Sequence, residues 1–66
     1  MKTSEELKIR IKELGKLRTS YSRQGIELIN QGDIKNGHAL MKQAYETSKR
    51  CQVLIGELKR QESLVQ

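Results

Sequence analysis

A chain of 66 residues holds at most one domain, near the lower limit at which a single apolar core suffices, so help from a partner is expected. One cysteine excludes an internal disulfide, and with a single histidine it makes no metal-ligand set, which points to a reducing compartment and no cofactor. The absence of proline, two tyrosines as the sole aromatics and 32% charged residues favour helix over sheet, while the net charge of +5 suits nucleic acid, an acidic protein surface, anionic lipid or plain solubility.

Met1 to Glu6 is polar and lacks the apolar stretch of a signal peptide, and no apolar run approaches the roughly 20 residues of a membrane span, so a cytoplasmic chain is expected. Thr3-Ser4-Glu5-Glu6 reads as a capping box that starts a first helix over about 4–31, with Thr3 accepting from the Glu6 amide and the Glu6 carboxylate reaching back. Apolar or small residues recur at Leu7, Ile11, Leu14, Tyr21, Gly25 and Leu28 in the three-four alternation of a helical seam. Residues 1–23 hold seven basic and three acidic side chains, so the first third carries +4 of the charge.

Gly32 is placed to end the first helix in the left-handed region, and Asp33 to cap the next. The second helix is expected over about 34–63, its seam running through Ile34, Gly37, Met41, Ala44, Ser48, Cys51, Ile55, Leu58, Glu62 and Val65. Two helices joined by so short a turn fold back antiparallel, each about 40 to 45 Å long. Counting outward from the turn pairs Leu28 with Gly37, Gly25 with Met41, Tyr21 with Ala44, Arg18 with Ser48, Leu14 with Cys51, Ile11 with Ile55 and Leu7 with Leu58. Gly25, Gly37 and Ala44 thus read as holes that bring the backbones close. The expected fold class is all-α, an antiparallel two-helix hairpin of coiled-coil type that can dimerise into a four-helix bundle.

The stretch from Tyr21 to Ala44 resembles one tetratricopeptide repeat, with small residues at Gly25, Gly37 and Ala44 and the turn Gln31-Gly32-Asp33 in matching positions; Gln24 stands where that family has leucine. The resemblance implies hairpin geometry and carries no peptide-binding groove with it. Leu28 through Gly32 and Lys49-Arg50-Cys51-Gln52 resemble the small subunit of exonuclease VII, across an interval about two residues shorter than in that family. This second likeness implies a short cytosolic hairpin beside a nucleic-acid-processing enzyme.

No catalytic constellation is present in the sequence. His38 reads as a flank residue near the turn, Cys51 as a small seam hydrophobe, and the carboxylates as solvated pairs one turn from basic residues. Lys8, Lys12, Lys16 and Arg23 share one arc of the first helix, and Lys35, Lys42, Lys49 and Arg60 one of the second, as solvated faces or as two ridges for phosphates. Arg18, on the seam, either forms a buried polar layer against Ser48 or runs outward along Tyr21 and Ser22. Leu17, Tyr45, Leu40, Leu54 and Leu58 exceed what one hairpin covers and mark a surface for a second copy or a protein partner. These readings lead to a small non-enzymatic accessory protein acting through helix packing beside a nucleic-acid-processing complex, or else to direct, largely sequence-nonspecific DNA or RNA binding. No membrane and no small-molecule substrate is expected.

Overall fold

The computed structural model describes residues 3–65, the Val65 side chain excepted; the expectations that fall on Met1, Lys2 and the Val65 side chain lie outside the described residues. Helix α1 spans Ser4–Asn30 and helix α2 spans Ile34–Val65, with no strand among the described residues. They pack against each other as an antiparallel hairpin of 51 × 17 × 14 Å. Relative to the ranges read from sequence, α1 stops one residue earlier, with Gln31 in the turn, and α2 runs on to Val65.

Thr3 starts α1, its Oγ1 accepting the Glu6 N–H at 3.1 Å and its carbonyl the Leu7 N–H at 3.0 Å. At the other end Gly32 has φ +91°, the left-handed region that glycine enters without strain. Its N–H donates to the Ile29 carbonyl at 3.0 Å and that of Asp33 to the Leu28 carbonyl at 2.9 Å, so the turn closes as a Schellman motif. Asp33 also begins α2. Its carbonyl accepts the Gly37 N–H at 3.0 Å, Oδ1 accepts from the Asn36 backbone at 3.4 Å, and Oδ2 from Asn36 Nδ2 at 2.9 Å.

Beside the turn the helices meet through two glycines. A Cβ on Gly25 would lie 2.9 Å from Met41 Sδ and 3.0 Å from the Gly37 carbonyl oxygen; one on Gly37 would lie 2.9 Å from the Gly25 carbonyl oxygen and 2.5 Å from Ile29 Cγ1. The Gly25 hole accepts Met41 as the layer count requires. The Gly37 hole is filled by Ile29, one residue on from the Leu28 that the count had placed there. Further along, the buried side chains are Leu7, Leu14, Ala44 and Thr47. Thr47 belongs to no expected layer: its hydroxyl donates to the Gln43 carbonyl at 2.8 Å, which satisfies the polar atom inside the contact.

Other seam positions also differ from the count. Ile34 is 53% exposed and Glu62 is exposed, whereas Gln61 is half-buried. The buried stripe keeps the seven-residue spacing through Leu40, Thr47, Leu54 and Gln61, one residue before the counted Met41, Ser48, Ile55 and Glu62, so the difference is one of phase. Cys51 lies against the partner helix, its thiol donating to the Ile11 carbonyl at 3.7 Å, a layer away from Leu14.

Because Ala at Gly37 meets backbone as well as a branched side chain, Gly37→Ala should lower stability by about 1–3 kcal/mol despite the better helix propensity. Gly56, whose Cβ would meet nothing within 4 Å, should instead gain about 0.5–1 kcal/mol as alanine. Thermal melts of the two variants should therefore move in opposite directions.

Candidate functional site

Two open grooves meet along α1. The first is a shallow furrow between side chains of α1 alone, lined by Lys12, Gly15, Lys16, Arg18, Thr19, Ser20, Arg23, Gln24 and Glu27. It holds four cations and one carboxylate, and among the described residues none of the four cations is ion-paired; the one salt bridge there joins Arg10 to Glu13 at 3.2 Å. Its uncharged polar groups are satisfied along the helix, Thr19 donating to the Gly15 carbonyl at 3.0 Å and Gln24 Nε2 to Ser20 Oγ at 3.2 Å. The arrangement leaves its charge to solvent or to an anion.

The second groove runs between the helices and is lined by Arg18, Thr19, Ser22, Arg23 and Ile26 of α1 and Met41, Ala44, Tyr45 and Ser48 of α2. Its apolar walls are open: Ile26 is exposed and Tyr45 is 62% exposed, with Lys49 Nζ 4.7 Å from the tyrosine ring centroid. Arg18, Thr19 and Arg23 form the ridge shared by both grooves. Arg18 is exposed. Of its two alternatives the structure takes the outward one, and no buried arginine layer faces Ser48.

The structure gathers Lys12, Lys16 and Arg23 into one groove and adds Arg18, which sequence reasoning had assigned to the seam. Lys8 is exposed outside that lining, and Lys35, Lys42, Lys49 and Arg60 are exposed and line neither groove. Seam and basic arc lie on different sides of α1, so the two ridges do not converge on a shared cleft. His38 is exposed, and among the described residues no three His, Cys, Asp or Glu side chains gather into a metal set.

The leucines form a different surface. Leu40, Leu54 and Leu58 are half-buried along one flank of α2, and Leu17, on the corresponding flank of α1, is 41% exposed. Spacing by seven puts Leu40, Thr47, Leu54 and Gln61 on one edge of the contact stripe and Met41 and Ser48 on the other. Tyr45 belongs with the second groove, apart from the leucines with which it had been grouped. Among the described residues no helix is long and apolar enough to cross a membrane.

No protein-family model, curated protein or solved structure matches the chain.

The unpaired cations of α1 repel one another, so removing two should stabilise the hairpin slightly at low ionic strength. Lys12→Gln with Arg18→Gln should melt no earlier than wild type at about 10 mM salt, and the difference should shrink towards 1 M as the Debye length contracts. A large loss of stability at both salts would mean that these side chains pack rather than project.

Proposed function

We propose that the chain is a small non-enzymatic accessory protein that acts by helix packing and covers its leucine flank with a second helical surface, in the simplest case a second copy. The observation that carries this reading is the half-open row Leu40, Leu54 and Leu58 with Leu17 beside it. A row of large aliphatic side chains along a hairpin finds cover when a second hairpin packs on it as a four-helix bundle.

Area supports the same reading. A compact chain of 7.6 kDa exposes about 4300 Å², and this one exposes 5265 Å². The surplus of roughly 1000 Å² per chain is of the size that each partner loses in a specific protein interface, about 600–1,000 Å². The leucine flank lies away from the cationic groove, so association on this side does not bring the four cations together.

A folded dimer is stabilised by mass action, so its melting temperature rises with concentration. Across about 5 to 500 µM protein, the wild-type Tm should climb by several degrees and sedimentation should report a dimer at the upper end. Leu54→Asp should remain helical at low temperature, sediment as a monomer and lose the concentration dependence. A wild-type chain that is monomeric throughout with a constant Tm would overturn self-association as the way this face is covered.

A further inference from the structure

We propose that the ridge and the two grooves on the other side of the hairpin form a binding site for single-stranded nucleic acid, the phosphates following Lys12, Lys16, Arg18 and Arg23 and a base lying against Tyr45. From Lys12 to Arg23 the cations cover about 16 Å of helix axis. Their charge is not used inside the molecule: they have no ion-pair partner among the described residues, and Glu27 is the one carboxylate in the lining. Gly15 lies in that groove with nothing within 4 Å of where its Cβ would be, so packing does not require the glycine. Its effect there is to leave the groove floor as bare backbone, open to close approach.

The second groove decides the class of ligand. A duplex presents phosphates and buries its base faces, and an anionic lipid surface presents headgroups in a plane. A single strand offers both a charged edge and flat apolar faces, the combination that matches a cationic groove beside an aromatic one. Arg18 and Arg23 border both grooves and so stand where backbone and base of one strand separate. Tyr45 is 62% exposed; Lys49 Nζ covers one face of its ring, 4.7 Å from the centroid, so a base would stack on the other face beside that charge. No carboxylate lines this groove.

The site is tested by fluorescence anisotropy with labelled oligo-dT and oligo-U of about 20 nucleotides, a duplex of equal length, and cosedimentation with phosphatidylserine vesicles, at about 50 and 200 mM salt. Binding of either homopolymer at micromolar concentration is expected, at least tenfold tighter than the duplex. Four phosphate contacts on a single strand predict an affinity loss of about 50-fold between the two salts. Lys16→Gln with Arg23→Gln should reduce that salt effect to about sevenfold. Tyr45→Ala should weaken single-strand binding about tenfold while leaving the salt effect unchanged. Gly15→Leu, which improves helix propensity, should weaken binding by filling the floor, with helicity by circular dichroism retained. No binding at the lower salt, equal affinity for duplex, an unaffected Tyr45→Ala variant, or capture by vesicles alone would each overturn the proposal.

Discussion

The hairpin depends on the contact between Gly25 and Gly37. Each carbonyl oxygen stands about 3 Å from where the other residue's Cβ would be, closer than real Cβ contacts allow, so a side chain at either position pushes the helices apart. A helical glycine costs about 1 kcal/mol relative to alanine, and two of them beside the turn are explained by the approach they permit. Gly32 reverses the chain, Asp33 closes the turn and opens α2, and Met41 and Ile29 fill the two holes from opposite sides. Further from the turn the contact ends with Leu7, the most deeply buried side chain among the described residues.

That progression explains how much of the structure could be read in advance. The turn was legible because Gly-Asp between two amphipathic stretches has few other uses, and the Gly25–Met41 layer because it lies close to the origin of the count. The departures from the count are ones of phase and occur both beside the turn, at Ile34, and far from it. The 3.5-residue count passes over Thr47 and selects Glu62 where the helix presents Gln61. Next to the turn Ile29, not Leu28, fills the Gly37 hole. Arg18 was legible only as two alternatives, a buried layer against Ser48 or an outward course; a long side chain on a narrow stripe reaches water at little cost, and there it joins the cationic groove.

A hairpin is one helix thick, so every residue off the seam is within a side chain's reach of solvent. The leucine flank and the cationic ridge are both consequences of this thinness, yet they differ in what relieves them. Apolar surface on one side would be removed from water by a second helical layer, which would also add to a core whose buried apolar side chains, among the described residues, are Leu7, Leu14 and Ala44. Repulsion among Lys12, Lys16, Arg18 and Arg23 is reduced by an anion, since another copy of the same cationic groove would increase it. The two surfaces therefore favour occupants of opposite character.

The placement of Arg18 and Arg23 then matters more than the number of charges. Cations spread evenly around α1 would raise solubility and attract any polyanion at long range without ordering it. Here two arginines stand at the lip between a polar trough and a slot walled by Ile26, Met41 and Tyr45. Their planar guanidinium groups offer several donors in a fixed fork to an oxyanion on one side, while their aliphatic stems and faces suit a flat apolar surface on the other. Lysine at these two positions would keep the charge and lose that double fit, so position and residue type together set what an occupant of this side would meet.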